Sequence, residues 1–68
     1  MKKTHQKNSI GDSQCIYETA KGRISLIYPC ENTRGYYEIY GQTDNLLDEP
    51  ERYESEAEAE KRINELLN

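Results

Sequence analysis

The stretch QCIYETAKGRISLIYPC, residues 14–30, decides the fold. β-Branched and aromatic residues dominate it, and Lys21-Gly22 stands where the chain should reverse. Two antiparallel strands around a tight turn are therefore predicted. Two registers satisfy the pattern. With Lys21-Gly22 as the central pair, Cys15 faces Tyr28. With Gly22-Arg23 as the central pair, glycine comes first, as a type II′ turn wants, and Cys15 faces Cys30. Both registers assign the same faces, because they differ by two in the pairing sum. Cys15, Tyr17, Thr19, Ile24, Leu26 and Tyr28 form the core face. Ile16, Glu18, Ala20, Arg23, Ser25 and Ile27 form the other. Pro29 cannot donate to a ladder and ends the second strand.

Upstream, MKKTHQKNSIGDS (residues 1–13) has one apolar side chain besides Met1 and no periodicity, which reads as a disordered tail. The domain proper is then expected over residues 14–68. Downstream, CENTRG (30–35) is a turn cluster, and GYYEIYG (35–41) is the third strand. Tyr37 and Ile39 are placed inward, with Tyr36, Glu38 and Tyr40 outward, since Glu38 belongs with water. Residues 42–54, QTDNLLDEPERYE, read as a connection. In it Leu46 and Leu47 lid the core, and Pro50 opposes a long helix.

The ending is a helix. Ser55 and Glu58 make a capping box, and Glu54, Glu56 and Glu58 favour the positive end of the dipole. Ala59, Ile63, Leu66 and Leu67 fall on one narrow apolar stripe. Glu58–Arg62 and Lys61–Glu65 stand at i,i+4 on the wet side. A helix of about 12 residues is unstable alone in water and must dock. The expected fold is thus α+β: a three-stranded antiparallel sheet in β-β-β-α order with one C-terminal helix packed on one face.

Composition bounds what such a module does. Sixty-eight residues allow one domain with a thin core. Trp and Phe are absent and Tyr occurs six times, so tyrosine supplies the aromatic bulk and favours half-wet positions. Residues 1–41 carry six Lys/Arg against four Asp/Glu, while residues 42–68 carry three against nine. A chain of net charge −4 is a poor default binder of phosphate backbones. No apolar run is long enough for a signal peptide or a membrane span, so a cytoplasmic protein without membrane contact is expected.

Catalysis and cofactors find no support. The single histidine, His5, lies in the polar tail, away from any candidate nucleophile or metal-ligand spacing. Cys15 and Cys30 make no C-x-x-C pair and read as structural thiols. Neither an enzyme, a cofactor nor a metal is expected.

The face opposite the helix is the informative one. Ile16, Ile27, Tyr36 and Tyr40, with Arg23 among them, are more apolar and aromatic than solvation alone needs. They mark a contact with another protein or with a second copy, since a homodimer needs only one self-complementary patch. This describes a small adaptor or inhibitor, the kind of chain phages and mobile elements encode. The acidic row Glu51, Glu54, Glu56, Glu58 and Glu60 could also imitate phosphates on a target. The alternative is DNA binding. The β-β-β-α order is similar in outline to the small domains at the amino end of some transposon integrases and to plant AP2-type domains. That resemblance implies a sheet laid in the major groove, with Lys21, Arg23 and Arg34 as carriers and Lys2, Lys3 and Lys7 assisting. Glu18 and Glu38 on the same face oppose it.

Overall fold

The computed structural model describes residues 1–42 and 46–68; residues 43–45, in the first part of the expected 42–54 connection, lie outside them. Five antiparallel strands follow in chain order, each paired with the next: β1 (Lys2–Lys7), β2 (Ser13–Thr19), β3 (Gly22–Ile27), β4 (Tyr37–Gly41) and β5 (Glu51–Tyr53). Among the described residues one helix, α1 (Glu56–Leu67), forms, and it packs on one face. The α+β arrangement stands. The three-stranded sheet and the disordered tail do not.

The first correction is β1. Residues 2–7 form an edge strand in register with β2, from Lys2↔Glu18 to Lys7↔Ser13. Its side chains reach the helix side without being apolar. The Lys3 ammonium lies 5.2 Å from the centre of the Tyr17 ring, and His5 stacks on Tyr28 with ring centres 6.3 Å apart. An edge strand that contributes cations and an imidazole instead of aliphatics leaves no alternating hydrophobic signal. Asn8 makes the reversal to β2, its Oδ1 accepting from the Ile10 and Asp12 amides at 3.0 and 2.9 Å. Gly11 completes that loop at φ 90, where glycine is favoured.

The second correction is β5. Three residues after Pro50 pair with β4, so Arg52 faces Glu38 and Tyr53 faces Tyr37. A three-residue edge strand behind a proline falls below what periodicity can show.

The third concerns the hairpin. Thr19 pairs with Gly22, so Ala20-Lys21 is the central pair and neither expected register forms. The Thr19 hydroxyl accepts from the Lys21 amide at 3.2 Å, and Gly22 closes the turn at φ 145. Cys15 therefore faces Leu26. The shift is again by two in the pairing sum, so every side chain keeps its face.

The core is the sheet–helix layer. Ile24, Leu26, Ile39, Ala59 and Ile63 are fully buried, with Cys15, Tyr17 and Leu67 nearly so. Tyr28, Tyr37, Leu46, Leu47, Tyr53 and Leu66 pack half-buried around them. Leu46 and Leu47 pack against the core from the connection, as expected. A Cβ on Gly41 would stand 3.3 Å from the Leu47 Cβ, so glycine there permits the close approach.

The helix begins as its sequence predicts: the Ser55 hydroxyl accepts from the Glu58 amide at 3.2 Å. Its ion pairs differ. Arg62 bonds Glu51 on β5 at 2.9 and 3.3 Å and Glu65 at 3.6 Å. The hydrogen bond from Arg62 holds the Glu51 carboxyl below its ordinary range. Hydrogen bonds from Tyr17 to Glu60 at 2.9 Å and from Thr19 to the Leu67 carbonyl at 3.1 Å fasten α1 to β2.

Both cysteines are free thiols, Cys15 buried and Cys30 partly so, and burial pushes the Cys15 thiol above its ordinary pKa. The thermal midpoint should accordingly be the same with and without reductant. A fall on reduction would expose a bridge that this register does not make.

Candidate interaction face

The register places the side chains of the uncovered face in rows across the sheet. Gln6, Gln14, Ile27, Glu38 and Arg52 stand in one row, with Thr4, Ile16, Ser25 and Tyr40 in the next and Lys2, Glu18 and Arg23 in the third. Although α1 lies on the other side, Gln14, Ser25, Ile27 and Glu38 are buried. Two loops account for it. Residues 8–12 and 30–35 leave the sheet at the same end, and the Asn32 side-chain amide donates to the Asp12 carboxylate at 2.9 Å between them. Thr33, 1% exposed, bonds the backbone of Cys30 in both directions and locks its loop. The two loops wall a cup of about 430 Å³ floored by Gln14, Ser25, Ile27, Glu38 and Tyr40, with Ile10 on its rim.

The polar groups of the floor are paired with one another. The Ser25 hydroxyl donates to Gln14 Oε1 at 2.5 Å. Arg52 donates from Nε and Nη2 to Glu38 Oε2 at 2.9 and 2.6 Å, and the Tyr40 hydroxyl donates to Glu38 Oε1 at 2.7 Å. That bond to the carboxylate, with burial, raises the Tyr40 pKa. The Arg52 guanidinium also lies 5.1 Å from the Tyr36 ring centre, in cation–π contact. Glu38 is thus not a water-facing carboxylate, as its place on the outer side of β4 suggests. It is 7% exposed, because Arg52 on the unanticipated β5 neutralises it there.

The five expected contact residues all lie on this side, but in different situations. Ile27, 8% exposed, is part of the floor; Ile16 is half-buried beside it; Arg23 is exposed one row away. Tyr36 and Tyr40 are exposed and linked through Arg52 and Glu38. Ile10, at 68% the most exposed large apolar side chain, escapes a sequence reading that assigns it to a tail. The Asn8–Gly11–Asp12 turn pattern is the signal that could have placed it.

The nucleic-acid candidates are not brought together. Lys21 lies in the β2–β3 turn, where its ammonium bonds the Asn68 carbonyl, with Arg23 just beyond. Arg34 lies in the β3–β4 connection at φ 58, beyond the opposite end of β3, about 20 Å away at the usual rise per residue. The three-stranded outline behind the integrase and AP2 resemblance falls with the strand count. Among the described residues no three His, Cys, Asp or Glu side chains converge on a metal position, and no helix is long and apolar enough to cross a membrane. Compared with protein-family models, curated proteins and solved structures, the chain matches none.

Proposed function

We propose that this chain is a small, non-catalytic protein-binding module of adaptor or inhibitor type that grips its partner with the uncovered sheet face. One observation carries the reading: the cup of about 430 Å³ has a floor whose polar groups are already satisfied. A partner entering it need not strip unpaired charges of water, the step that makes polar surfaces costly to bury. Beside the Tyr40 of the cup's floor, Ile10, Ile16, Tyr36 and Arg23 stand on the same side of the sheet, the residue types that contribute most to protein contacts being tyrosine and arginine. Two reduced thiols suit a cytoplasmic setting. A second copy pairing face to face is the homodimeric form of the same contact.

The test is the double substitution Tyr36→Ser/Tyr40→Ser. Circular dichroism should be unchanged, because both rings lie outside the sheet–helix core. Self-association by sedimentation, or retention of specific partners by immobilised protein, should be lost. Loss of folding would make the tyrosines structural, and an unchanged set of retained partners would remove this face from consideration.

A further inference from the structure

A different surface carries its own argument. β1 is the first strand of an open sheet, hydrogen-bonded to β2 on one side only. Among the described residues no strand pairs with its outer edge, and all six of its residues are exposed. Such an edge presents a row of backbone donors and acceptors about 20 Å long. The strand is also held in place beforehand. Lys3 pairs with Glu60 at 3.5 Å and lies over Tyr17, while His5 stacks on Tyr28. A partner therefore meets an ordered template and does not have to organise it.

Charge decides what that template accepts. KKTHQK holds three lysines and no carboxylate, in a chain of net charge −4. There is no proline or glycine in the strand to interrupt pairing, so lysine is its one barrier to an incoming strand. That barrier works against a second copy of β1, which would bring lysines against lysines. It works in favour of an acidic strand. Among the described residues neither Lys2 nor Lys7 makes an ion pair, so one charge is available at each end of the edge, Lys2 on the uncovered face and Lys7 on the helix side. The far edge of the sheet has the opposite character: β5 is three residues long, begins with Glu51 and follows Pro50.

We propose that the outer edge of β1 binds an extended acidic segment of a partner protein as a sixth strand, with backbone hydrogen bonds giving affinity and Lys2 and Lys7 selecting carboxylates. The site is independent of the cup, and the two can fail separately.

Nuclear magnetic resonance titration of the labelled full chain with the capped peptide EVEVEVEV tests this. Amide shifts should concentrate at residues 2–7 and their β2 partners. Affinity should fall by about tenfold or more at high salt, and by a similar factor in Lys2→Glu/Lys7→Glu, whose exposed positions leave the fold intact. Strand addition uses the amides of alternate residues only. Because an alternating peptide can turn either set of amides to the edge, the same peptide N-methylated at every residue should not bind. Equal binding of the lysine peptide KVKVKVKV, or indifference to N-methylation, would overturn the proposal. So would shifts confined to Ile16, Ile27 and Tyr40, no response at all, or displacement of the peptide by a short DNA duplex.

Discussion

Ile63→Asp should leave the chain unfolded: no helical or sheet signal in circular dichroism and no thermal transition. Ile63 has no exposed surface and sits in the layer made by Ile24, Leu26 and Ile39. An aspartate there either carries its charge into an apolar site or takes up a proton to avoid doing so, and either choice costs about 4 kcal/mol or more with the lost packing included. A single core in a chain this short supplies only about 3–5 kcal/mol of stability. The helix cannot survive undocked, since twelve residues are too few to hold a helix in water. Without it Tyr17, Leu26 and Ile39 would face solvent. Ile63→Val, costing about 1 kcal/mol, should stay folded with a lower midpoint. A folded Ile63→Asp variant would show that α1 does not dock through this stripe.

The second large effect is alkaline unfolding. Burial, and then the hydrogen bond to Glu60, push the Tyr17 pKa far above its ordinary value. Burial likewise raises Tyr28 to about 12, and burial followed by the bond to Glu51 raises Tyr53 to about 12. In the unfolded chain these phenols ionise near pH ~10. Above that pH the unfolded state has released protons that the native state still holds. The tyrosine contribution to stability is complete below pH ~10 and declines as pH rises, by about 1.4 kcal/mol per pH unit for each tyrosine so held. These three groups, with Tyr40 raised in the same direction, act against a marginal total and place the unfolding midpoint between about pH 10 and 12. Ring-carbon resonances of Tyr17, Tyr28 and Tyr53 should move to their ionised positions together with the loss of circular dichroism. If they ionise near pH ~10 while the fold persists, their hydroxyls are not held as described.

How these expectations arise marks the division between local and tertiary information. The hairpin faces were legible because a period of two is a property of the chain itself, and even a wrong turn register preserved it. The helix was legible for the same reason: Ser55 and Glu58 signal its start, and Ala59, Ile63 and Leu67 name its buried side. The shared side of Ile16, Arg23, Ile27 and Tyr40 follows from that alternation. β1 stayed hidden because its packing uses Lys3 and His5 against tyrosine rings, contacts that have no signature in a hydropathy pattern. Glu38 stands on the expected outer side, but its burial is not legible in the sequence because its partner Arg52 is 14 residues away on a strand of three. The ion pair exists only once β5 has added to β4.

By itself, the sequence determined the α+β class, the face of each central strand and the buried stripe of the helix, since propensity, alternation and capping act within a few residues. The tertiary structure alone decided that the sheet has five strands, because both edge strands depend on neighbours to satisfy their backbone groups. It also decided that the uncovered face is a cup. That shape comes from two loops meeting across 20 residues at Asp12 and Asn32, and from one carboxylate made tolerable in a buried place by a distant guanidinium.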